Sequence, residues 1–408
     1  MRVGNRSIAG ILSLLLAGLG GGWSPDRPGQ SYAVSATALP SPSPAADPDK
    51  EAPKDLNWPV DAAPQVPKGF SISAFARLRQ PTWMAVAPNG DVFVSQTNSR
   101  SILLLHDSDG RGRADQVSVF SSGYQAPHGL SLHGGYLYIT DPRAVYRVAY
   151  ADGATSGGAA EKVAVAGGPP DDKAIARDIE FDSHGNFYWS FASRRSDDPP
   201  PDATVQKVAA DGSMTTFASG MSTVAGLAFY PGTDHLFAVV DERRGLGPGL
   251  VPDYLTHVEA GDFYGWPYAY IGPHPDPGAG GQHSELVAKS QTPDLLFEAG
   301  STPLDFAFYG GKQFPSRYRG DAFVVLHGSW KQGEPVGYKV VHVPFRNGAP
   351  LGRYENFVTG WISAGGDGQP VMLGRPACIA VAKDGSLLIA DNVGGTIWRV
   401  SYTGDKRR

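Results

Sequence analysis

From Gly69 onward the chain repeats one hydrophobic pattern: a short apolar or small-residue run, a tight glycine turn, and a second apolar run. The first copy reads Trp83-Met84-Ala85-Val86-Ala87-Pro88-Asn89-Gly90-Asp91-Val92-Phe93-Val94, in which Asn-Gly supplies the positive φ angles of a hairpin. Five more copies follow, at Gly129–Asp141, Asp178–Ser193, Gly226–Asp241, Asp305–Gly328 and Cys378–Asp391. Their turns lie at Gly134-Gly135, His184-Gly185, Pro231-Gly232, Arg319-Gly320 and Asp384-Gly385. The first four turns recur about every 45 to 50 residues, the period of a four-stranded blade. Six copies therefore predict an all-β, six-bladed β-propeller over residues 67–402. Phe70–Phe75 and Thr396–Tyr402 are placed to pair in one blade and close the ring, which removes open sheet edges. An insertion, Gly245–Phe297, separates the fourth and fifth copies and predicts long loops on one face, where binding sites gather. A β-sandwich fits the period poorly, and no long 3.6-residue periodicity supports an α/β fold.

Composition narrows the function. The 52 Gly and 34 Pro suit many short strands, and a net charge of -5 with mixed signs gives no basic field for nucleic acid. Arg2 and Arg6 precede an apolar run, Ile8–Leu19, with the order of a signal peptide, and small residues at Val34-Ser35-Ala36 offer a cut. Residues 1–36 are thus expected to be a leader and 37–66 a disordered Pro/Ala-rich linker, with a basic tail at 403–408. The product would be periplasmic or secreted, without a stable membrane span after cleavage. A single cysteine, Cys378, allows no internal disulfide. Asp107-Ser108-Asp109-Gly110-Arg111-Gly112 has a calcium-loop outline, but Arg111 and Ser118 occupy ligand positions, so it reads as a blade turn.

The stretches Pro127-His128-Gly129-Leu130, Arg177-Asp178-Ile179, Asp241-Glu242-Arg243, Pro252-Asp253-Tyr254, Phe263-Tyr264-Gly265-Trp266-Pro267, His327-Gly328-Ser329-Trp330 and Asp391-Asn392 carry a resemblance. In this order they resemble the sorbosone dehydrogenase branch of the glucose/sorbosone dehydrogenase family, from about Pro67 to Tyr402. The resemblance implies a propeller that holds pyrroloquinoline quinone (PQQ), usually with Ca²⁺, over its channel and oxidises a small-molecule sugar or aldehyde. The electron acceptor is not implied. Such chemistry needs a base for the substrate hydroxyl and cationic donors for the quinone. Arg375, Lys331, His327 and Asn392 are the candidate cofactor contacts; His128, Arg177 and Asp391 are the candidate catalytic groups. Asp241, Glu242 and Arg243 match the family's calcium loop, which uses mainly backbone carbonyls.

Two positions depart from the family. Ala174 stands where the catalytic His of its third repeat belongs, and Ser222-Thr223 where its fourth repeat has Arg-Asn. Activity on aldoses is therefore expected to be weak, with His128 or Asp391 as a substitute base. Two other readings stay open. One is a propeller that binds carbohydrate or protein without turnover. The other is a lactonase-like hydrolase using Asp178, Asp241, Glu242, Asp305 and Asn392 around calcium.

Overall fold

The computed structural model describes residues 24–43, 58–59, 61–142, 144–166, 175–192, 203–247, 249–331 and 334–404. It is all-β and propeller-like. Antiparallel meanders dominate, each running inner strand, middle strands, outer strand. The first comprises Trp83–Val86, Val92–Gln96, Ser101–His106 and Gln116–Ser122; the second Leu130–His133, Tyr136–Asp141, Ala144–Ala149 and Glu161–Val165. The third and fourth meanders, beginning at Ile175–Phe181 and Thr223–Phe229, merge into one eight-stranded sheet through the pairing of Ala192 with Thr223. The sheet that begins at Pro303–Phe308 and the one that begins at Pro376–Val381 complete the arrangement. In the last of these, Phe70–Arg77 pairs with Thr396–Tyr402, from Phe70 opposite Tyr402 to Arg77 opposite Thr396.

Middle strands such as Val92–Gln96, Ala322–Leu326 and Leu387–Asp391 are buried at every position, because a neighbouring sheet covers each face. That explains the continuous apolar runs in place of strict alternation. At the second turn both Gly134 and Gly135 take positive φ, as a two-residue hairpin requires. At the first only Gly90 does; Asn89 instead accepts a hydrogen bond from the Asp91 amide at 3.0 Å through its side chain. The Asp107 carboxylate receives the backbone amides of Arg111 and Gly112, so its turn is closed by its own acid.

Two sequence assignments change in detail. The expected insertion contributes to the blade: Tyr254–Val258 and Leu295–Leu296 are strands of the fourth meander, and the long segment between them is added to it. Residues 24–43 and 61–66, assigned from sequence to leader and linker, include segments held against the sheets. Ser31-Tyr32 adds a strand to the sheet of Tyr354–Val358, Val34 bridges Leu296, and Gln65 bridges Thr359. Lys339, only 2% exposed, pairs with Asp26 at 2.9 Å and Glu298 at 3.5 Å. Backbone pairing and one buried ion pair hold this segment, neither of which shows as an apolar run. Residues 1–23 and 405–408 lie outside the described residues.

Candidate active site at the channel rim

The inner strands surround a channel, and their two halves differ in chemistry. His128, Arg177, Ser222, Thr302 and Arg375 all stand at or just before the N-terminal ends of inner strands, so the repeat brings residues distant in sequence to one rim.

His128 is buried, lies tilted against Trp83 with ring centroids 4.8 Å apart, and places Nδ1 2.9 Å from the Arg177 carbonyl. A carbonyl only accepts, so Nδ1 carries the proton and Nε2 keeps a lone pair. Gly129 is required here: a Cβ on it would lie 2.5 Å from that same Arg177 oxygen. His327 repeats the device, with Nδ1 2.8 Å from the Pro376 carbonyl. Burial, with Arg177 close by, pushes the His128 imidazole down to about 3; burial, then Arg375 and Arg177, does the same for His327. Both are neutral over the physiological range, and Arg177 lies near both.

Arg375 is fixed from several sides. Its amide donates to Asp391 Oδ1 at 2.8 Å, its guanidinium donates to the His327 and Gly328 carbonyls, and it lies over the Tyr338 ring. Asn392 follows, its amide donating to the Arg375 carbonyl at 3.1 Å. Its side-chain oxygen is buried with no hydrogen-bond partner among the described residues.

Asp391 does not serve as a substitute base. It is 0% exposed, and its oxygens accept from the indoles of Trp58, Trp361 and Trp398 and from the amides of Arg375 and Gly394. Every acceptor position is used. Its role is to hold Arg375 in place. Lys331 lies in a short hairpin opposite Glu334, and Ala174 lies outside the described residues.

The side chains of the calcium triplet turn to separate partners. Asp241 faces Arg244, and Arg243 pairs with Asp276 between Trp266 and Tyr270. Burial pushes Glu242 up to about 8. Among the described residues no three carboxylate, His or Cys groups stand where one metal ion would fit. Of the hydrolase cluster, Asp178 and Asp305 line one cavity.

Those two meet below the rim. Asp178, Asp305 and Glu180, which sequence reasoning missed, line a channel cavity of about 450 Å³ that extends to Phe181, Phe229 and Phe308 at the far ends of the inner strands. Asp178 accepts the Leu227 amide and Asp305 the Ile379 amide, each at 2.8 Å, so each acid staples its strand to the next. Burial pushes all three acids up, Glu180 to about 8 and Asp305 to about 7, and for Asp178 and Glu180 the neighbouring carboxylates add to it. Thr302 and Arg244 at the rim were also missed. Neither belongs to a motif, and only the fold brings them to the site.

Comparisons with known proteins agree with this architecture. Residues 194–328 match the family model described as glucose / sorbosone dehydrogenase, and residues 281–403 match one described as TrAA12-like. An uncharacterized protein of Borreliella burgdorferi is 28% identical over 189 residues, 45% of this chain and 48% of that protein, so the chain spans about half the length of this curated relative. The holo form of the pyranose dehydrogenase PQQ domain from Coprinopsis cinerea superposes with a TM-score of 0.70 at 16% identity, covering 84% of this chain and 98% of that one. The calcium structure of a Trichoderma reesei carbohydrate-active enzyme of family AA12 gives 0.68 at 19%, covering 83% and 97%. The PQQ-bound aldose sugar dehydrogenase of Streptomyces coelicolor gives 0.56 at 18%, covering 83% and 99%. At these identities the likeness concerns the fold.

Proposed function

We propose that this chain is a PQQ-dependent sugar or aldehyde dehydrogenase-like oxidoreductase on a six-bladed propeller, related to the sorbosone branch and exported to the periplasm or beyond. Six inner strands around the channel, among the described residues, support the blade count. No described helix is long and apolar enough to cross a membrane. The observation that carries the reading is the rim: the neutral His128 imidazole, its Nδ1 tethered to the Arg177 carbonyl, with Arg177 close to both His128 and His327 and Arg375 beside His327.

The rim residues fit a planar, carboxylate-bearing quinone. Arg375 and Arg177 would meet its anionic oxygens with charge-assisted hydrogen bonds, and the buried side-chain oxygen of Asn392, without a partner among the described residues, would accept from a donor on the ligand. When bound, the quinone supplies the hydride acceptor. His128 Nε2 takes the hydroxyl proton of the substrate, while the Arg177 carbonyl holds the ring and keeps its proton on Nδ1. Arg177 opposes the resulting imidazolium, so the proton must leave quickly or the base stays poorly driven. With Ala174 and Ser222 in place of the family's His and Arg, this supports slow aldose oxidation. Hydrated aldehydes are the better substrates.

A second reading, a binding module without turnover, is favoured by Ala174 and Ser222 alone. One experiment separates the two. Purified protein is loaded with PQQ and Ca²⁺, and the quinone spectrum is followed on adding aldehyde or aldose. Bleaching by aldehyde, slow with aldose and faster in Ala174→His/Ser222→Arg/Thr223→Asn, is expected. PQQ binding that no substrate bleaches would leave the binding module.

A further inference from the structure

Ser222, Thr302 and Arg375 each immediately precede an inner strand, in three successive sectors of the rim. Only Arg375 brings a cation; the other two positions offer hydroxyls. The gap is not empty of charge. Arg244, on the loop after the Leu236–Asp241 strand, places Nη2 2.8 Å from the Thr302 hydroxyl and 3.8 Å from Asp241, with its side chain 46% exposed.

Thr302 is built for this contact. It takes φ +53°, a left-handed conformation that is rare for a β-branched residue and is kept only where the surroundings impose it. Its amide donates to Asp253 Oδ2 at 2.9 Å, and its carbonyl accepts from the His327 amide at 2.9 Å. A continuous line therefore runs from Arg244 through Thr302 to His327 and Arg375. The long, half-exposed Arg244 side chain reaches this line at Thr302, whose carbonyl accepts the His327 amide.

Resting on the dehydrogenase reading, we infer that Arg244 is a quinone-carboxylate contact that replaces the cation missing at Ser222, and that Thr302 is the residue that positions it. A ligand with carboxylates on several edges then meets Arg177, Arg244 and Arg375 around the rim. An exposed Arg acting in this way is screened by salt, whereas a loop ion pair with Asp241 would leave ligand affinity alone.

The test measures the PQQ dissociation constant by absorbance or fluorescence quenching at low and high salt. Wild type should bind. Arg244→Gln should weaken binding by about ten-fold or more and flatten its salt dependence, the size expected for one charged hydrogen bond. Thr302→Val should reproduce part of the loss, Thr302→Ser should retain wild-type affinity, and Ser222→Arg added to Arg244→Gln should restore it. Wild-type binding that Arg244→Gln leaves unchanged in affinity and salt slope overturns the inference while keeping the dehydrogenase reading. Absence of PQQ binding by wild type overturns both.

Discussion

The rim and the interior of the channel are built by the same inner strands, yet their charges are opposite. The rim gathers Arg177, Arg244 and Arg375 with two neutral histidines; the interior holds Asp178, Glu180 and Asp305 and no cation among its lining residues. One residue along a strand separates the two regimes: Arg177 turns its carbonyl to His128, while the Asp178 carboxylate reaches the amide of Leu227. The segregation suits an anionic ligand that stops at the rim. It also makes the interior acids structural, since each aspartate binds the next strand.

The comparison is broken most strongly at His128. His128→Asn keeps a donor toward the Arg177 carbonyl but offers no basic nitrogen. If the rim is the reaction centre, aldehyde-dependent bleaching of bound quinone should fall by about 10² to 10⁴, the usual contribution of a positioned base. Thermal stability should change little. A variant that turns over at the wild-type rate moves the base to His327, which is tested by the same substitution there.

Arg375 comes next. Arg375→Ala should weaken PQQ binding about ten-fold or more, from the loss of a charged hydrogen bond of roughly 1.5 to 3 kcal/mol. An unchanged dissociation constant would make Arg375 part of the scaffold that Asp391 holds, with no ligand of its own.

The split between rim and interior was only partly legible in the sequence. Turn glycines and their period gave the strands, because a positive φ and a repeat length are written locally. The same period marked His128, Arg177, His327 and Arg375, which lie at strand starts or beside them. Asp391 misled because a conspicuous Asp-Asn pair says nothing of the three indoles that saturate it, one of them 333 residues away. Arg244 was overlooked because the neighbouring triplet was read as a metal loop, and a long side chain's destination depends on loop geometry. Glu180 belongs to no motif, and only the register of its strand places it in the channel.

The smallest effect separates the interior from the rim by its pH dependence. Burial, with Asp305 beside it, holds Glu180 near 8, and Asp178, Asp305 and the buried Cys378 thiol are the other titratable groups around it. Between its ordinary value of 4.5 and 8 the unfolded chain loses the Glu180 proton while the folded chain keeps it. The native state therefore binds more protons, and stability falls as pH rises through that window. The rim histidines act in the opposite direction and lower down: their depressed values cost stability only as pH falls below about 6.5. Glu180→Gln should match wild type near pH 4 and exceed it at pH 8 by on the order of 1 kcal/mol. Asp178 and Asp305 should retain part of the slope. Urea unfolding at pH 4.5, 6 and 8 measures this, and parallel curves for the two proteins would show that Glu180 ionises in the channel as freely as in water.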